Sequence, residues 1–167
     1  MLALKINDVK KFMNLLLIRD TFDHFSLVEA NITTFSNFTI DGRLHKDFFD
    51  TDTVQNPDFT DSFFCHWKEL KSYCFSIIRG KLLPIQFRIT FQLSPSQYSA
   101  IFTDSSFPFC SNQICGLNLN IQYKNKELFC TTGISSDTFL LDKQPEITWD
   151  SAVLKFFQKL QLDFDRL

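Results

Sequence analysis

Glycine and proline are scarce, at four and five residues in a chain of 167, well below the levels that mark collagen-like or low-complexity disordered segments. Four isolated glycines also cannot supply the GxxxxGK or GxGxxG loops that cradle phosphates. No GxSxG elbow, no HExxH pair and no CxxC is present, so the signatures of serine hydrolases, zinc peptidases and dithiol redox proteins are missing. There is no excess of one charge: 17 basic side chains face 19 acidic ones, for a formal net charge of -2. That balance argues against a protein built to neutralise phosphates along nucleic acid, and basic residues are not interleaved with the aromatics as a single-strand funnel requires.

Long apolar runs are absent as well. The start, MLALKINDVKKFMNLLLIRD, carries a lysine at its fifth residue and reaches only a four-residue apolar run before Arg19, which does not read as a signal peptide. No stretch approaches the roughly 18–20 apolar residues needed to cross a bilayer. Five cysteines are an odd number in a chain large enough to do without disulfide staples. They read as reduced, mostly buried thiols in a cytoplasmic protein.

What is abundant is phenylalanine, with 21 residues. Phenylalanine has no polar handle, so these rings are expected mostly inside, each stabilising by roughly 1.5–3 kcal/mol on burial. The length fits one domain spanning 1–167 with a substantial core. Acids cluster between Asp47 and Asp61, where Asp47, Asp50, Asp52, Asp58 and Asp61 occur with no Lys or Arg among them. That run, with Pro57, marks residues 46–62 as a long acidic loop.

Periodicity places the elements. A first helix, capped by Asn7, shows Val9, Phe12, Met13, Leu16 and Leu17 on one face. Val28, Ala30 and Ile32, then Phe38 and Ile40, alternate with polar residues as a hairpin. A second helix begins near Ser62 and stops at Gly80, carrying Trp67, Leu70, Cys74, Ile77 and Ile78. In PIQFRITFQL, Ile85, Phe87, Ile89, Phe91 and Leu93 face one way and Gln86, Arg88, Thr90 and Gln92 the other. A short helix follows Ser94-Pro95. LNLNIQY, a KNKE turn and LFCTT form a second hairpin, TFLL a short strand, and a last helix starts near Pro145 or Thr148. A strand buried on both faces would be continuously apolar, and these alternate. The expected fold is therefore α+β: one largely antiparallel sheet of about five to six strands, helices on one face, and a polar second face.

Two groups of side chains are candidates for function. The polar sheet face offers Glu29, Asn31, Asp41, Arg43, Gln86, Arg88, Asn118, Asn120 and Gln122. Amides donate and accept hydrogen bonds, so such a face suits a peptide, sugar or nucleotide; it is also what any half-exposed sheet presents. Around the first hairpin, Asp20, Asp23, His24, Asp41, Arg43 and His45 could gather as an acid–base or metal site, although their spacing matches no metal motif. Asp41-Gly42 reads equally as a turn. His66 and the cysteines read as packing residues. No cofactor and no metal is assigned.

The segments ALKINDVKKFMNLLL, DTFDHFSLVEANITTFSNFTIDGRLH, WKELKSYCFSIIRGKLLPIQFRITFQLSP and LNIQYKNKELFCTTG resemble an uncharacterised family of single-domain proteins from anaerobic clostridial bacteria. The resemblance spans nearly the whole chain and implies one domain, but no activity, ligand or site residue. The leading expectation is a non-enzymatic domain that binds another protein, or a second copy of itself, through the polar face or the loop around the acidic run. A small hydrolase or metal-assisted enzyme centred on Asp23, His24, Asp41, Arg43 and His45 is second, and weak nucleic-acid binding third.

Overall fold

A computed structural model describes residues 1–50, 63–102, 114–137 and 142–167. The chain opens with strand β1 (Ala3–Ile6) and helix α1 (Val9–Leu17). The hairpin β2 (Ser26–Thr33) and β3 (Asn37–Asp41) leads to a 3-10 turn at Lys46–Phe48 and helix α2 (Trp67–Ile78). Then come β4 (Gln86–Gln92), a 3-10 turn at Pro95–Gln97 and α3 (Tyr98–Phe102). The hairpin β5 (Ile114–Lys124) and β6 (Glu127–Ser136), helix α4 (Gln144–Lys159) and β7 (Phe164–Arg166) complete it. Most of the expected acidic loop (51–62), the expected strand TFLL (138–141) and Cys110 lie outside the described residues.

All seven strands pair antiparallel in the order β3-β2-β4-β5-β6-β1-β7. The count is seven rather than five to six because β1 and β7 join the sheet, Leu4 opposite Arg166. Strands of three and four residues carry too little sequence to show a period of two, and their pairing is fixed only when the chain ends meet. The edges of the sheet are β3 and β7, and β4, which follows Pro84, is an inner strand.

One face is the core. Ile32 and Ala30 of β2, Phe87, Ile89 and Phe91 of β4, Leu117, Leu119 and Ile121 of β5, and Leu4 and Ile6 of β1 are all buried. The helices close over them. Trp67 of α2 donates its indole N–H to the Leu16 carbonyl at 2.8 Å, and Trp149 of α4 donates to the Asn118 carbonyl at 2.9 Å. Both tryptophans thus bury large rings with the polar edge satisfied. Phe12, Phe22, Phe91 and Phe157 form the largest fully buried side chains after Trp67.

Several local expectations change. Asp8, not Asn7, caps α1, its carboxylate accepting from the Lys11 N–H at 2.9 Å. Asp8→Ala should therefore cost about 1 kcal/mol, read as a lowered urea midpoint at unchanged slope. Helix α2 starts at Trp67, not near Ser62, because the preceding residues are spent on backbone pairing: Leu27 N–H donates to the Cys65 carbonyl, Cys65 N–H to Gly42, and Trp67 N–H to Phe25. Gly42 is a close backbone crossing rather than a turn glycine. Ile85 lies just before β4 and is 66% exposed, beyond the reach of the helical layer. The KNKE turn holds, with Asn125 and Lys126 at φ 54° and 65°, the double left-handed geometry that matches strand twist.

Candidate functional site

The second face of the sheet carries the polar residues. Register aligns Thr39, Asn31, Arg88, Gln122, Phe129, Lys5 and Asp165 in one row across seven strands. At the usual inter-strand spacing this row is about 29 Å wide. A second row runs Asp41, Glu29, Thr90, Asn120, Thr131 and Ala3. Gln86 opposes Lys124 on one side of these rows, and Gln92 opposes Asn118 on the other. Eight of the nine expected face residues, Glu29, Asn31, Asp41, Gln86, Arg88, Asn118, Asn120 and Gln122, are thus on one surface, and no helix among the described residues packs on it. Arg43 lies beyond the end of β3, bridged to Phe64. Lys5 and Phe129 were not foreseen: β1 was too short to read, and Phe129 is the odd position of LFCTT that alternation leaves on this face.

Part of the face is internally satisfied. Thr39 Oγ1 donates to Asn31 Oδ1 at 2.7 Å, and Asn31 Nδ2 donates to Glu29. Thr90 Oγ1 donates to Asn120 Oδ1 at 3.0 Å, and Asn118 Nδ2 to Ser135 Oγ at 2.7 Å. Lys5 Nζ meets Glu127 at 2.7 Å, and that bond and charge push the lysine above its ordinary pKa. Gln86, Arg88 and Gln122 differ. All three are exposed, and none makes a side-chain hydrogen bond or ion pair among the described residues. With Asn31, Thr33 and Asn37 they line a shallow depression of about 310 Å³. A guanidinium with five fixed donors, between two free amides, presents itself to a carboxylate or to backbone carbonyls.

The hairpin group does not assemble. Asp23 is held by Lys71 of α2 at 2.6 Å, and the same ammonium reaches the Arg19 carbonyl at 2.8 Å. Asp41 accepts from the Arg43 N–H at 2.9 Å, an Asx-type loop bond. His45 is exposed and precedes the 3-10 turn without capping it through its side chain. Asp20 is exposed. Among the described residues no bond links Asp23 or His24 to Asp41, Arg43 or His45, and no group of three or more His, Cys, Asp or Glu could hold a metal ion. His24 packs its ring 4.4 Å from Phe25 and 6.0 Å from Phe156. The loss of water on that side holds its imidazole below the ordinary value, against the pull of Asp23.

The thiols are poorly placed to act as nucleophiles. Burial pushes Cys74 up to about 12, and burial also raises Cys130 and Cys65. Cys115 is exposed rather than buried, and a hydrogen bond to Asp137 raises its thiol. All four described cysteines are free. Among the described residues no helix is long and apolar enough to cross a membrane. A family described as a family of unknown function (DUF5721) matches residues 15–165. No curated protein and no solved structure matches the chain.

Proposed function

The chain belongs to this family of unknown function, and we propose that it is a non-enzymatic protein-binding domain that works through the open sheet face. One observation carries the reading: Arg88, Gln86 and Gln122 stand together, exposed and unpartnered among the described residues, in a depression on a surface otherwise tied up in its own hydrogen bonds. Internally bonded neighbours hold the surface rigid and leave the central donors free for a partner's acidic side chain or carbonyls. The half-buried Phe129 beside Gln122 adds an apolar contact to the same row. The proposal includes a cytoplasmic setting in a clostridial bacterium, in line with the resemblance of the sequence and its free thiols.

Arg88→Glu tests it. The residue is exposed, so stability should change by no more than about 0.5 kcal/mol. Proteins retained from a clostridial lysate on the immobilised wild-type chain and lost with Arg88→Glu are identified by mass spectrometry, then purified. At least one should bind the wild type directly and lose about tenfold or more in affinity, about 1.4 kcal/mol, with the variant. If no retained protein depends on Arg88, the sheet face is not the binding surface. Self-association that appears at rising concentration and vanishes with Arg88→Glu would identify a second copy as the partner.

A further inference from the structure

On the opposite side of the molecule, α1, the last turns of α2 and the near end of the sheet leave a cleft of about 1040 Å³. It sits where β4 begins and β5 ends. Its apolar lining includes Met13 of α1, Phe75 and Ile78 of α2, Leu83, and the stacked pair Phe87–Tyr123, whose rings are 5.2 Å apart and 13° from parallel. Ile18 and Leu83 stand in its mouth 59% and 71% exposed. Large apolar side chains held in water around a concave apolar surface mark a place where something else docks.

The rim states what kind of partner fits. Lys10, Lys11, Arg19 and Lys126 border the cleft, and Asp8 is the one acid among its lining residues. The Asp8 carboxylate is already engaged by the Lys11 N–H, and Lys11 Nζ reaches the Gln161 carbonyl at 2.6 Å. The side chains of Lys10, Arg19 and Lys126 make no hydrogen bond or ion pair among the described residues. The rim is therefore cationic although the whole chain carries a net charge of -2. These charges are also spread out. Lys10 stands in the first turn of α1 and Arg19 just past its last, about 13 Å apart along the helix axis. A single anionic headgroup would satisfy one end only. An apolar stripe with acids at both ends, two to three helical turns long, satisfies both.

We propose that this cleft is a docking groove for an amphipathic acidic helix of a partner protein. Its leucine or phenylalanine side chains at i, i+3, i+4 and i+7 occupy the floor over Phe75, Ile78 and Phe87. Its carboxylates meet Lys10 and Lys126 at one end and Arg19 at the other. This surface is independent of the sheet face, and Arg88→Glu should leave it untouched.

The probe is a 14-residue acetylated and amidated peptide with leucines at that spacing and two glutamates at each end, labelled for fluorescence anisotropy. Saturable binding with a Kd below about 1 mM, weakened by added salt, is the expected result. The lysine-for-glutamate version of the peptide should bind at least about tenfold more weakly. Lys10→Glu with Arg19→Glu should reduce binding to a similar degree, and Leu83→Asp should abolish it; all three positions are exposed, and unchanged unfolding midpoints would establish that the variants fold. Three results overturn the proposal: no saturable binding of the glutamate peptide; equal binding of both peptides; or dodecanoate or phosphatidylglycerol vesicles bound through Lys10 and Arg19 in place of the peptide, which would make the cleft a lipid site.

Discussion

Replacing Phe91 with alanine is expected to destabilise the protein by about 3–5 kcal/mol. Phe91 is fully buried near the C-terminal end of β4, with Trp67 at 5.0 Å, Phe25 at 5.7 Å and Phe22 at 6.0 Å. Phe22 in turn touches Phe12 of α1 and Phe156 of α4, each at 5.6 Å. Phe91 and Phe22 together thus join the sheet, three helices and the loop before β2, and those elements cannot all collapse onto the space that the Phe91 ring would leave. The loss is a large share of the roughly 5–15 kcal/mol that holds a domain of this kind folded. Urea unfolding followed by tryptophan fluorescence measures it. Gln86→Ala, on the other face of the same strand and without a side-chain partner among the described residues, should stay within about 0.5 kcal/mol. Two small and equal effects would mean that the two faces of β4 have been assigned wrongly.

That contrast within one strand also shows what can be read from the residues. The face occupied by Arg88, Gln122 and Asn120 was legible because a half-exposed antiparallel sheet writes its two environments as a period of two. The same rule overreached at Ile85, since alternation continues past the point where helices stop covering the sheet. Lys5 and Phe129 complete the polar row only through the pairing of β1 with β6, a contact more than a hundred residues apart in sequence. The start of α2 was misplaced because composition does not reveal that residues 63–66 are spent on backbone pairing with Leu27, Gly42 and Arg43. The hairpin acids and histidines looked promising as a list of types. Lys71, which takes Asp23, comes from a different element, and only tertiary structure brings it there. The cleft beside α1 is the extreme case: Lys10, Arg19 and Lys126 share a rim only once the helix has packed beside the β5–β6 turn.

Gly42→Ala is expected to cost about 3 kcal/mol or more, although the position lies between the charged residues Asp41 and Arg43 in sequence and its φ is not positive. A Cβ there would lie 1.7 Å from the Leu27 carbonyl oxygen and 2.6 Å from its carbonyl carbon. Both atoms are backbone, so no rotamer change relieves the overlap. The crossing is also tied in place: Gly42 N–H donates to the Val28 carbonyl at 3.0 Å, and its carbonyl accepts from Cys65 at 2.8 Å. A bulge in β2 between Leu27 and Glu29 brings the chain this close. Forcing the segments apart adds overpacking strain of about 1–3 kcal/mol to the loss of one or more hydrogen bonds worth about 1 kcal/mol each. Two other glycines provide the comparison. At Gly116 the nearest atom is the Gln92 amide nitrogen at 2.0 Å, on a flexible side chain that can swing away, so Gly116→Ala should cost less than about 1 kcal/mol. At Gly133 nothing lies within 4 Å, and Gly133→Ala should gain about 0.4–1 kcal/mol by restricting the unfolded chain. The order of the three unfolding midpoints measures steric access to the backbone at each site. If Gly42→Ala proved no worse than Gly133→Ala, the close approach of Leu27, and with it the anchoring of α2 beside β2, would be wrong.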